Sequence, residues 1–206
     1  MVEKQAVRRA YDELGASYGA QRDSGGLTAL DAVLEAADPD RVLDAGCGPG
    51  RPVLERLDAA TAAVGLDISR EQLSLAAERV PETPLLQGDM TRLPFGDDAV
   101  DAVVAYWSLI HVPLDEHQAV LDEFARVLRP GGRALVCEGR EQWVGENPDW
   151  LDSGVEMSWE LAGAEATREQ LRTAGFTVER EWGAADSLDD DDESEPWVFI
   201  EGRLEE

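Results

Sequence analysis

Lysine is almost absent from this chain: of 18 basic residues only Lys4 is one, set against 44 acidic residues and a formal net charge of −26. No basic stripe or tail is visible, so the sequence carries no footprint for a nucleic-acid duplex. Cysteine and histidine are also sparse, two of each. Cys47 and Cys137 have no Cys or His at zinc spacing, and they read as small buried residues rather than a disulfide or a metal site. No apolar run is long enough to span a bilayer, and no charged-then-apolar leader opens the chain. The expectation is a cytoplasmic protein without membrane insertion.

What is present is enough apolar residue for a core, 43% of 206 residues, which excludes the core-poor composition of a disordered acidic chain. The length fits one domain, residues 1–206. Acidity spread over a folded surface fits a salt-rich cytoplasm, because self-repulsion destabilises the compact state in dilute salt and counterions screen it. The plainer alternative is an ordinary protein with an acidic loop; lysine depletion favours the halophilic reading.

The organising stretch is Val42-Leu-Asp-Ala-Gly-Cys-Gly-Pro-Gly-Arg51. It reads as a buried parallel strand, a glycine turn and the start of a helix. Gly46, Gly48 and Gly50 remove side chains where a ligand would lie on the backbone. Asp44 stands near the carboxyl end of the strand, where open α/β sheets place ligands. A dinucleotide fingerprint would need a sixth-position glycine, and Arg51 stands there.

In chain order, Val7, Tyr11, Leu14 and Tyr18 share one side of an N-terminal helix interrupted by Gly15 and Gly19, and Asp23–Gly26 reads as a loop. A second helix spans Leu27–Ala37 before Pro39. The segment Ala62–Ser69 reads as a strand closed by an acid, and Ser69 caps a helix running to about Val80 with Gln72 in the capping-box position. Asp67 follows Gly46 by 21 residues, the separation at which an acid reaches ribose hydroxyls. Pro84–Met90 and Ala99–Ala105 read as further strands, Asp115–Leu128 as an amphipathic helix, and Ala134–Glu138 as a fifth strand. Alternating strands and helices with short turns imply a doubly wound parallel sheet.

Together VLDAGCGPGR, VGLDIS, LLQGDMTRLPF, DAVDAVVAYWSLIHV and VLRPGGRALVCEG resemble the class I S-adenosylmethionine-dependent methyltransferases. The resemblance is strongest to the small-molecule branch that includes the ubiquinone and menaquinone C-methyltransferases. It covers residues 5 to 139 well, with a weaker echo in Leu171–Val178 and Trp197–Glu201. It implies a seven-stranded Rossmann-like sheet, six strands parallel and a C-terminal one antiparallel, with residues 1–37 as a helical lid.

The resemblance also implies roles. Asp44, Gly46, Cys47 and Gly48 would border the methionine end of S-adenosylmethionine, and Asp67 would hold the ribose. Ile68 would pack on the adenine, Asp89 would accept from its amino group, and the Met90 amide would meet the ring edge. Tyr106 and Tyr18 would close the cofactor site. The insert 139–167 would form the acceptor pocket with Tyr11, Trp107, His111, Trp143 and Trp159.

Methyl transfer from a sulfonium asks mainly for alignment and exclusion of water, and a base is needed only where the acceptor loses a proton. His111, past the fourth strand, is the base candidate; the alternative is a structural residue capping the next helix. His117 reads as solvated. Asp189–Glu193 lacks a turn glycine and reads as a solvated loop, not a calcium site. The expected activity is methyl transfer to a small molecule. Cofactor binding without transfer, or a nicotinamide-dependent oxidoreductase, are the alternatives.

Overall fold

Strands form where small and β-branched residues alternate between two faces that are both covered. The computed structural model describes residues 1–20, 27–184 and 196–205, so the expected loop at Asp23–Gly26 and the acidic run Asp189–Glu193 lie outside the described residues. The strands are β1 (Arg41–Ala45), β2 (Ala62–Asp67), β3 (Leu85–Gln87), β4 (Val100–Ala105), β5 (Leu128–Gly139), β6 (Trp143–Trp150), β7 (Val155–Leu161), β8 (Phe176–Ala184) and β9 (Trp197–Leu204). Seven make one sheet in the order β3-β2-β1-β4-β5-β9-β8, while β6 and β7 pair separately as an antiparallel hairpin. The first five strands run parallel; β9 is antiparallel to both β5 and β8. This is the doubly wound sheet expected, six strands one way and one the other.

The helices are α1 (Lys4–Leu14), α2 (Ala16–Ala20), α3 (Leu27–Ala37), α4 (Val53–Asp58), α5 (Arg70–Arg79), α6 (His117–Val127) and α7 (Ala164–Thr173). Successive strand residues feed opposite cores. Leu43, Val103 and Val136 meet α6 and α7 residues such as Phe124 and Leu171. Val42, Val104 and Leu135 meet Leu30 and Val33 of α3 and Leu54 and Leu57 of α4. A third, smaller core joins α1 and α2 to the hairpin through Val7, Tyr11, Leu14, Tyr18, Trp150 and Met157.

Some expectations need correction. The third strand is only three residues long. The helix expected from Asp115 begins at His117, because Leu114–Glu116 forms a 3-10 turn. His117, read as solvated, is fully buried. The turn carries the start of α6 inward, where the His117 Nε2–H donates to the Val112 carbonyl at 3.0 Å and Nδ1 lies 4.0 Å from buried Glu138. Burial lowers the His117 pKa and pushes Glu138 up to about 7. Gln72 completes only half of a capping box: its amide donates to Ser69 Oγ, but its side chain reaches the Tyr11 and Gly15 carbonyls instead.

Candidate functional site

The carboxyl ends of β1, β2 and β4 open onto a cleft of about 640 Å³ roofed by α1. At its base the chain turns at Gly46, where φ is +86° and a Cβ would fall 2.3 Å from the Ser108 Cβ. Only glycine satisfies both conditions. The Gly46 and Cys47 amides both donate to the Leu66 carbonyl, at 2.7 and 3.0 Å, locking the turn to β2. Ser108 Oγ donates to the Ala45 carbonyl at 2.7 Å and ties the end of β4 to the same turn.

Two carboxylates stand at neighbouring strand ends. Asp67 accepts from the Gly48 and Ser69 amides, each at 2.8 Å. Burial raises its pKa to about 6, against the pull of those amides. Asp44 is 1% exposed, and neither of its oxygens has a hydrogen-bond partner among the described residues. Burial, helped by the charge on Asp67, pushes it up to about 8. A buried acid with nothing to accept from is costly, and it suits a cationic or donor-bearing guest. Asp44 and Cys47 border a smaller adjoining cavity of about 390 Å³, which shares Tyr18, Gly46, Gly48, Tyr106 and Trp107 with the main cleft.

At the other end of the cleft Asp89 is already engaged. One oxygen accepts from the Thr91 amide and hydroxyl, at 2.9 and 2.8 Å, and the other is paired with Lys4 at 2.7 Å. Lys4 also holds Glu116. These partners keep Asp89 below the ordinary carboxylate range despite partial burial, which acts the other way. Ile68 and Met90 line the cleft between Asp89 and Asp67.

The roof is aromatic. Tyr11 and Tyr18 meet edge to face at 4.9 Å, and Trp150 packs against both, at 5.9 and 5.6 Å. The Tyr11 hydroxyl lies 2.8 Å from His111 Nε2. Of the residues singled out in the sequence, Tyr11, Tyr18, Gly46, Gly48, Asp67, Ile68, Asp89, Met90, Tyr106, Trp107 and His111 line the cleft. Trp143 and Trp159 line neither cavity: Trp143 is 51% exposed, and Trp159 sits behind, its ring 6.1 Å from His111 and 5.4 Å from Trp150. Sequence reasoning missed Lys4 and Ser108, of which only Lys4 carried a signal, as the single lysine. It placed Gln72 only in a capping box and counted Trp150 among the tryptophans of the insert without assigning it to the site. Among the described residues no group of three or more His, Cys, Asp or Glu could hold a metal ion, and no helix is long and apolar enough to cross a membrane.

Residues 43–136 match the family described as a methyltransferase domain. A demethylmenaquinone methyltransferase from Mycobacterium sp. (strain KMS) is 38% identical over 133 residues, 65% of this chain and 56% of that protein, so the chain spans little more than half of that relative's length. Among solved structures, an S-adenosylmethionine-dependent methyltransferase from Mesorhizobium loti is similar with a TM-score of 0.67 at 20% identity. That match covers 85% of this chain and 96% of the other. The [4+2]-cyclase SpnF is similar with a TM-score of 0.64 at 24% identity, over 86% and 81% of the two chains. The fold is the Rossmann-like fold of these methyltransferases.

Proposed function

We propose that this chain, whose residues 43–136 match a methyltransferase domain and which is similar to a demethylmenaquinone methyltransferase, transfers a methyl group from S-adenosylmethionine to a small-molecule acceptor. The observation that carries this reading is Asp44, a buried carboxylate whose two oxygens have no partner among the described residues, beside a glycine turn. The α-ammonium of the methionine end supplies the missing donor. Asp67, at the next strand end, faces the ribose, where a carboxylate accepts two hydroxyls. Ile68 packs on the adenine with the Met90 amide at its edge, and Tyr106 and Tyr18 close the site. Asp89 accepts from the adenine amino group on the oxygen that Lys4 now holds. Bound there, the cofactor supplies a sulfonium methyl for in-line displacement.

The chain's own work is positioning and exclusion of water. The helices α1 and α2 and the β6–β7 hairpin of the insert 139–167 act as one lid, joined by the small core they share, whereas α3, the rest of the expected lid 1–37, packs Leu30 and Val33 against the sheet of the catalytic domain. Tyr11, Trp107, His111, Trp143 and Trp159 belong to the acceptor side, Trp159 and Trp143 as an outer rim. His111 is the residue placed to serve an acceptor that must lose a proton. The acidic, lysine-poor surface suits a halophile's cytoplasm and disfavours nucleic acid as the acceptor.

A second reading, cofactor binding without methyl transfer, draws on the cyclase that shares the fold. A nicotinamide-dependent oxidoreductase is disfavoured by Arg51. Calorimetric titration with S-adenosylmethionine in molar potassium chloride, with NADH as control, tests the proposal. Binding should weaken at least about tenfold in Asp44→Asn and in Asp67→Asn, since each removes a charge-assisted bond worth roughly 1.5–3 kcal/mol. Binding of NADH alone would overturn it, and tight binding with no turnover across an acceptor panel would favour the second reading.

A further inference from the structure

His111 has both ring nitrogens engaged. Nε2 lies 2.8 Å from the Tyr11 hydroxyl, and Nδ1 lies 3.3 Å from the Ser158 carbonyl oxygen. A carbonyl can only accept, so Nδ1 carries the hydrogen. The neutral imidazole then offers Nε2 as a lone pair, and Tyr11 donates to it. A molecule in the cleft therefore meets the Tyr11 oxygen rather than a bare histidine nitrogen. Both side chains line the cleft that also holds Gly46 and Asp67.

We infer that Tyr11 and His111 form a proton relay, with Tyr11 as the catalytic residue, and that the acceptor bears an acidic hydroxyl, a phenol or an enol. The inference rests on the methyl-transfer reading above. The acceptor's O–H proton passes to the Tyr11 oxygen while the Tyr11 proton passes to His111 Nε2. The products of that step are an acceptor oxyanion, a neutral tyrosine and an imidazolium whose Nδ1–H still faces the Ser158 carbonyl. The oxyanion, or the ring carbon conjugated with it, is the nucleophile that forms the new bond to the methyl carbon, and sulfur keeps the pair from the bond that breaks. The imidazolium gives its proton to water when the lid opens. An amine entering neutral needs no such step, because it is nucleophilic before it loses a proton.

The relay is assembled from three separate elements. Tyr11 comes from α1, His111 from the turn after β4, and Ser158 from the hairpin strand β7. Tyr11 is held by contacts beyond the relay bond. Gln72 Nε2 donates to the Tyr11 carbonyl at 3.0 Å, and Trp150 and Tyr18 pack edge-on to the Tyr11 ring. A hydrogen bond that served packing alone would not require this registration, whereas a relay functions only with the lid seated.

The test uses 4-nitrophenol as a probe whose ionisation is visible, added to the protein saturated with S-adenosylhomocysteine in molar potassium chloride. The pH is set about one unit below the probe's own pKa, where most of the free probe is neutral. The wild-type protein should bind the probe and develop the nitrophenolate band. Tyr11→Phe, which keeps the ring, and His111→Gln should each lower the ratio of bound phenolate to bound phenol about tenfold, one pKa unit. The double variant should lose no more than either single one. S-adenosylhomocysteine affinity should stay within about threefold in all of them, showing an intact fold. A probe bound as the neutral phenol by wild type, a probe not bound, or a band unchanged in either variant overturns the relay. Failure of wild type to bind S-adenosylhomocysteine would instead sink the cofactor reading.

Discussion

Asp44 makes the cofactor reading testable without an acceptor. In the folded protein it titrates near 8, whereas in an unfolded chain it would titrate near 3.8. The folded state therefore holds a proton that the unfolded state releases between those values. Its stabilising contribution is complete below about pH 4 and is lost as pH rises through about 8. Asp67 and Glu138, raised to about 6 and about 7, act in the same sense but finish at lower pH. Denaturant unfolding of the protein without cofactor should show stability falling with pH, and Asp44→Asn should flatten the part of the slope above pH 7. No single group can contribute more than about 1.4 kcal/mol per pH unit. Cofactor binding adds a second prediction. Near pH 6.5, where an α-amino group is already protonated, pairing with Asp44 requires the acid to ionise. Calorimetry in buffers of different ionisation enthalpy should then show net proton release, and Asp44→Asn should abolish the Asp44 share of it.

At the scale of elements, α1, α2 and the β6–β7 hairpin make a small core of their own, the proposed lid, fastened by a few polar contacts. Glu160 of β7, 5% exposed, accepts from the Val2 amide at 2.7 Å and the Leu114 amide at 2.8 Å. Glu160→Ala strands two amides, each worth roughly 1–3 kcal/mol when buried without a partner. Hydrogen exchange should accelerate across α1 and the β6–β7 hairpin while β1, β2, β4 and β5 stay protected; uniform acceleration would show that the lid and the sheet unfold as one unit. This division also marks what can be read from the sequence. Strands such as Val42–Ala45 are legible because successive residues must be apolar where both faces are buried, and Asp44 and Asp67 are legible because they lie next to and at the carboxyl ends of their strands. The roof is not. Val2 meets Glu160 across 158 positions and Tyr11 meets His111 across 100, and no local period encodes such partners. His117 escapes the sequence for a related reason: its helical position looks exposed, but a preceding turn that leaves no periodic trace carries it inward.

For the whole molecule, charge outweighs any single contact. Even if every one of the 18 basic residues paired with an acid, 26 of the 44 acids would remain without a cation. Networks such as Arg126 with Glu123 and Asp97, or Arg133 and Arg180 sharing buried Glu201, absorb several cations in pairs already satisfied. The remaining carboxylates repel one another over a Debye length of about 10 Å at 0.1 M salt, which shrinks to about 3 Å at 1 M. The unfolding midpoint of the protein without cofactor should therefore rise steeply between those concentrations of potassium chloride. Sodium chloride at the same ionic strength should act alike, because screening depends on ionic strength and not on which monovalent salt supplies it. The same salt acts oppositely on the Lys4–Asp89 pair, whose side chains are 21% and 35% exposed and which gains only modest energy even in dilute salt. Salt should thus stabilise the fold while loosening Lys4 from Asp89, the acid proposed to face the adenine. S-adenosylmethionine affinity of the wild type should then rise with salt, and Lys4→Met should lose part of that rise, while the salt dependence of the unfolding midpoint stays nearly the same. A midpoint that is flat in potassium chloride would mean that the acidic surface is not limiting stability, and the halophilic reading would fall with it.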